Sequence, residues 1–99
     1  MEKIPYLEHA VANIVKKLRE TSGLSLRHFA DFARLSHSGI RQYENGSRTI
    51  SLNVLYLLSD AVKMSPRDLV DMIESERQSL IQLAGDVAQG SGQTRQYKP

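Results

Sequence analysis

Between Ala33, the last apolar residue of one helical pattern, and Ser36, a residue suited to start another, the sequence leaves only Arg34 and Leu35. So short a connection forces the chain to reverse sharply and holds two short helices in a fixed crossing. The patterns on either side support this. Upstream, Ser25 is placed to cap a helix running to about Ala33, with Leu26, Phe29, Ala30 and Ala33 as its buried face. Downstream, a helix from Ser36 to about Glu44 stops at Asn45-Gly46, a pair suited to a left-handed C-terminal cap.

The flanking sequence reads as helix too. Leu7, Val11, Ile14 and Leu18 make one apolar stripe, with Lys16, Lys17 and Glu20 off it. This first helix is expected to start near Pro5 and to end around Ser22, because Gly23 takes a left-handed cap readily. After a loop of Ser47, Arg48, Thr49 and Ile50, Ser51 can cap a fourth helix with the stripe Leu52, Leu55, Leu58 and Val62. Ser65, Pro66 and Asp68 then stand in cap, first and third positions of a fifth. Leu69, Met72, Ile73, Leu80, Leu83 and Val87 continue at helical spacing, but Glu74 to Ser79 interrupt them with polar residues, so the fifth helix either extends to about Ala84 or breaks there. From Gly85 the sequence GDVAQGSGQTRQYKP carries too few bulky apolar residues to offset its ordering entropy. The expected organisation is an all-α domain over residues 1–75, an extension of the fifth helix over 76–84, and a flexible tail over 85–99.

Ninety-nine residues without cysteine leave helix packing alone to hold the chain, since neither disulfides nor thiolate metal sites are available. No apolar run is long enough to span a bilayer, and MEKIPYLEHA lacks the apolar centre of a signal peptide, which makes a cytoplasmic protein the default expectation. His9, His28 and His37 fall on different helices, with no accompanying nucleophile, metal constellation or glycine-rich phosphate loop. Neither catalysis, a cofactor nor a metal is expected. The net charge is only +2, but residues 1–50 carry +3 and residues 51–99 carry −1. The basic half holds the sharp connection.

Projected at about 100° per residue, the Ser36–Glu44 helix turns Ile40 and Tyr43 to one side, while His37, Ser38, Arg41, Gln42 and Asn45 cover an arc of about 140° opposite. An ordinary amphipathic surface helix has such a face. A helix in a major groove needs one, and these residue types match base edges: Gln for N6/N7 of adenine, Arg for O6/N7 of guanine, Ser and His as adaptable donors or acceptors. The tight turn lets the start of this helix project. The following loop brings Asn45, Ser47, Arg48 and Thr49 to where phosphates would lie, and the preceding helix opens with amides able to cap a phosphate.

From Ile14 to Leu69 the chain resembles the phage-repressor/Cro-type (XRE-like) helix-turn-helix family, through Leu18, Arg19, Gly23, Leu24, Ser25, Phe29, Ala30, Ser36, Ile40, Glu44 and Gly46 in LRETSGLSLRHFADFARLSHSGIRQYENG. The resemblance implies a compact five-helix, lambda-repressor-like DNA-binding domain that regulates transcription from double-stranded DNA. It implies base contacts from His37, Ser38, Arg41 and Gln42, and phosphate contacts from the start of the second helix (Ser25, Arg27, His28) and from Asn45, Ser47, Arg48 and Thr49. It also implies a structural ion pair between Arg19 and Glu44, since a carboxylate facing phosphates would be repelled.

There are departures. Leu26 stands where the family often has a Gln that reaches phosphate, a contact that Arg27 or His28 would have to replace, and Arg34 stands where the turn usually has Gly. Gly39, in mid-helix, costs about 1 kcal/mol relative to Ala and invites a close approach by DNA or by the preceding helix.

One short helix touches few base pairs, so a symmetric homodimer on paired half-sites is expected, most simply as a repressor. Tyr56, Met64, Met72, Leu80 and Leu83 exceed what a five-helix core requires and are the candidate dimer interface, unless Leu80 and Leu83 fold back on the first helix. The alternative reading is an antitoxin-like autoregulator that also binds a protein partner through residues 74–99.

Overall fold

The computed structural model describes residues 2–89. Among the described residues there are five helices and no strand: α1 Leu7–Ser22, α2 Leu26–Ala33, α3 His37–Glu44, α4 Leu52–Ala61 and α5 Pro66–Gln89. Serine starts four of them. The hydroxyls of Ser25, Ser36, Ser51 and Ser65 accept from the amides of His28, Gly39, Val54 and Asp68 at 3.2, 2.9, 3.1 and 3.1 Å. Each such cap is worth about 1 kcal/mol against alanine.

Helix α1 starts at Leu7, later than the Pro5 that the sequence suggests, because Ile4 to Leu7 form a turn. The Leu7 amide donates to the Ile4 carbonyl at 3.3 Å, and Tyr6 adopts φ 64°, a positive value of the kind this turn position calls for. Three other helices end in the six-to-one bond of a Schellman cap: Leu35 N–H to Ala30 O at 2.8 Å, Ser47 N–H to Gln42 O at 3.1 Å and Met64 N–H to Ser59 O at 2.8 Å. Only the second has glycine, Gly46, at the left-handed position. Arg34 and Lys63 fill the others at φ 62° and 58°. The residue after each, Leu35 and Met64, packs against the core, and that apolar contact offsets about 1 kcal/mol of backbone strain.

Phe29, Ile40, Leu58 and Leu69 are fully buried, with Val11 and Val15 beside them. Helix α1 packs on α5 and α3, α2 on α3 and α4, and α4 on α5. Leu52 departs from its expected place in the α4 stripe: it is 70% exposed, and α4 buries Leu55, Leu58 and Ser59 instead. The Ser59 hydroxyl donates to the Tyr56 carbonyl one turn back at 3.0 Å, which is what allows a polar side chain inside.

The polar stretch Glu74 to Ser79 does not break α5. Its side chains pair along the helix, with Arg77 Nε 2.9 Å from Glu74 Oε1 and Gln78 Nε2 donating to Glu74 Oε2 at 2.7 Å. They also pin it to the amino-terminal part of the chain: Asn13 Nδ2 donates to Glu76 Oε2 at 2.8 Å and Arg77 Nη1 to the Pro5 carbonyl at 3.2 Å. The helix passes Ala84 and Gly85 and runs to Gln89, since extending an existing helix costs far less than nucleating one. Residues 90–99, the rest of the expected tail, lie outside the described residues. No described helix is long and apolar enough to cross a membrane.

Candidate nucleic-acid interface

Helix α3 is held from behind. Gly39, Ile40 and Tyr43 are buried, and at its end Glu44 takes a two-point grip on α1: Arg19 Nε donates to Oε2 at 2.7 Å and Nη2 to Oε1 at 3.0 Å. The Arg19 and Glu44 side chains are only 20% and 8% exposed, so this pair is shielded from salt far better than a surface bridge. The hydrogen bonds to Glu44 raise the Arg19 pKa further above its ordinary value, against an opposing desolvation. With Glu44 turned inward onto Arg19 of α1, the outward side of α3 carries no carboxylate of its own.

Ser38 and Arg41 are exposed on that side, with His37 and Gln42 half-buried. Two of the four have protein partners. His37 Nε2 lies 2.8 Å from Asp31 Oδ1 of α2, and because an ionised carboxylate only accepts, the Nε2 position carries the proton. Gln42 Oε1 accepts from Arg48 Nη1 at 3.2 Å, and the same guanidinium sits 5.6 Å from the centre of the Tyr43 ring. Asp31 was not among the residues singled out from sequence. Its signal was available: it lies six positions before His37, across the sharp connection.

The remaining candidates flank α3. Asn45 Oδ1 accepts from the Ser47 amide at 3.0 Å, folding the loop onto the end of α3, with Arg48 and Thr49 exposed beyond it. At the start of α2, Ser25 is engaged in its cap with His28 Nδ1 at 3.1 Å, and Arg27 is exposed. Leu26 packs against the core, so it replaces neither part of the contact a glutamine could make. Gly39 has a local explanation: a Cβ there would lie 2.7 Å from Ser36 Oγ, the atom that caps the helix. No atom of α2 is among the three nearest to that position, so close approach by α2 is not what requires glycine.

The profile of the helix-turn-helix family matches residues 15–69 of this chain, more than half of it. The chain belongs to the helix-turn-helix family. The match spans α2 and α3 with the helices that support them, in keeping with the phage-repressor/Cro type of domain. No curated protein matches the chain. Among solved structures it is similar to the clp gene regulator ClgR from Corynebacterium glutamicum, at 24% identity and a TM-score of 0.68, covering 90% of this chain and 98% of that one. A second ClgR structure gives a TM-score of 0.62 at 24% identity over 73% and 94% of the two chains. This likeness is one of fold. As a helix-turn-helix protein the chain is a DNA-binding regulator of transcription.

The helix-turn-helix unit leaves other apolar surface uncovered. Of the five residues assigned from sequence to a dimer contact, Met64, Met72 and Leu80 pack at the edge of the protein's own core, while Tyr56 and Leu83 are 55% and 61% exposed. Tyr56 shares a groove between α4 and α5 with Leu52 and Val70, both exposed. Leu83 stands thirteen residues beyond Val70 along α5, about 20 Å away, so it belongs to a separate patch.

Proposed function

We propose that this protein is a cytoplasmic, sequence-specific repressor that binds double-stranded DNA as a homodimer on paired half-sites. The observation that carries the reading is the outward face of α3, which bears His37, Ser38, Arg41 and Gln42, with the Asn45–Thr49 loop folded onto its end. In this reading α3 enters the major groove, those four side chains touch base edges, and Ser25, Arg27, His28, Asn45, Ser47, Arg48 and Thr49 meet phosphates on either side. Repression needs no more than occupancy of a promoter.

The dimer follows from the small footprint of one α3, which gains useful affinity only when a second copy sits one helical turn of DNA away, about 34 Å. Tyr56 in its groove and Leu83 on α5 are the side chains available for that contact. An antitoxin-like autoregulator is the second reading, favoured by the exposure of Leu83 on a helix that continues to Gln89. It would use that end of α5 to hold a protein partner.

Selection of bound sequences from a random duplex pool, followed by sedimentation of the protein with the selected site, tests the proposal. It expects an inverted repeat and two chains per duplex. Recovery of a non-palindromic site bound by one chain at all working concentrations would remove the dimer, and the absence of any enriched sequence would remove the function.

A further inference from the structure

We propose that Arg48 sets what Gln42 reads, turning it from an adenine reader into a guanine reader. The inference rests on the DNA-binding reading above and adds a specificity role to a residue assigned from sequence only to phosphate.

A glutamine amide presents one acceptor and one donor group, and it clasps adenine by using both, Oε1 taking the N6 proton while Nε2 donates to N7. Here one lone pair of that acceptor is taken by Arg48 Nη1 at 3.2 Å, and the positive charge beside it disfavours the approach of a second donor. The orientation is not arbitrary: a guanidinium can only donate, so the amide oxygen has to be the atom that faces it. Two features hold Arg48 in place. Its guanidinium lies 5.6 Å from the centroid of the Tyr43 ring, on whose face a cation is attracted, and Tyr43 is itself buried and fixed. The loop that carries Arg48 is tied back to α3 by the Ser47 amide, which reaches both the Gln42 carbonyl and Asn45 Oδ1.

The consequence is directional. With a cation on its oxygen side, Gln42 offers the groove its NH2 group, and the amino group of an adenine would have to bring its partly positive protons up beside the guanidinium. Guanine presents only acceptors at that edge, N7 and O6, and meets a donor without conflict. Arg48 keeps further N–H groups for a phosphate, so the two roles coexist.

The test is selection from a random duplex pool with the full chain and its Arg48→Met, Gln42→Ala and doubly substituted variants. Arg48→Met keeps an apolar stem on Tyr43 but removes every donor. Because Arg48 is exposed, folding is expected to be unchanged, and thermal melts check this. The wild type is expected to prefer guanine at the position whose preference is lost in Gln42→Ala. Arg48→Met should swing that position toward adenine by about tenfold, and the swing should vanish in the double variant. Adenine in the wild-type site, no position that depends on Gln42, or a swing that persists without Gln42 would each overturn the proposal. Failure of the DNA-binding reading looks different, since no sequence would then be enriched by the wild type, and the proposal would fall with it.

Discussion

The α2–α3 surface and the α4–α5 surface are both exposed, and they are built on opposite plans. On the first, polar side chains are committed in pairs before any ligand arrives: His37 with Asp31, Gln42 with Arg48, and Ser25 with His28. On the second, Leu52, Tyr56 and Val70 line a mainly apolar groove, with Ser65 and Arg67 as its polar members, whose attraction for a partner is chiefly area. Hydrogen bonds carry direction, and burial of apolar surface does not. A surface of the first kind can distinguish among closely similar ligands. One of the second kind gains specificity only through shape, which two copies of a single chain supply by symmetry.

The largest effect is expected where the first surface is anchored. Glu44→Ala should lower stability by about 2 to 3 kcal/mol, because Arg19 is left partly buried without its partner, and Arg19→Leu in the same chain should recover part of the loss. Chemical denaturation of the four species of this double-mutant cycle measures it, and strictly additive losses would show that the pair does not act as a unit. Next come the reading side chains. Gln42→Ala and Arg41→Ala are each expected to cost about 1 to 3 kcal/mol at the selected site and much less on unrelated DNA. Equal losses on both DNAs, in a titration at fixed salt, would reduce this surface to the undirected kind.

The second surface is tested by charge. Tyr56→Asp should weaken self-association by about tenfold or more while leaving the fold intact, since its ring is already in water in the single chain. Sedimentation equilibrium of Tyr56→Asp beside Leu83→Asp tells which apolar patch serves the proposed dimer. A dimer indifferent to both substitutions would sink the assignment of either.

The smallest effect concerns α5. Hydrogen bonds from Arg77 and then Gln78 hold the Glu74 carboxyl below its ordinary value of 4.5, so the folded chain binds fewer protons than the unfolded one as the carboxyl titrates. The contribution of this group to stability is complete above that ordinary value and is lost as the pH falls through the lowered one. Carboxyl titration by NMR should place Glu74 lower in the wild type than in Arg77→Met, and equal midpoints would mean that the pairing is not kept in solution.

What could be read from sequence follows the same division. The helices and their serine caps were visible because periodicity and capping are local, and the wheel of α3 separated the buried Ile40 and Tyr43 from the exposed Ser38 and Arg41. The pairings across the turn and the loop were not visible, because His37–Asp31 and Gln42–Arg48 depend on how neighbouring elements fold back rather than on spacing within one. The α4–α5 surface was harder still. Periodicity put Leu52 in the core stripe, although in the first turn of α4 it overhangs the groove. It also counted Met64, Met72 and Leu80 as surplus, whereas all three pack against the protein's own core. The polar run after Ile73 left two readings open for a similar reason: a break and a well-paired helix surface have the same composition.

Gly39 has a practical consequence for anyone seeking a hardier version of this protein. Replacing helical glycines by alanine is a standard route to heat tolerance, worth up to about 1 kcal/mol per site, and by propensity alone Gly39 is the obvious target. The crowding against Ser36 Oγ reverses that advice, because the new methyl group would press on the hydroxyl that caps α3. Gly85, with nothing within 4 Å of an added methyl group, is the safer position. In α3, a residue that looks like a weakness leaves room for the cap, and robustness has to be sought at the far end of the molecule.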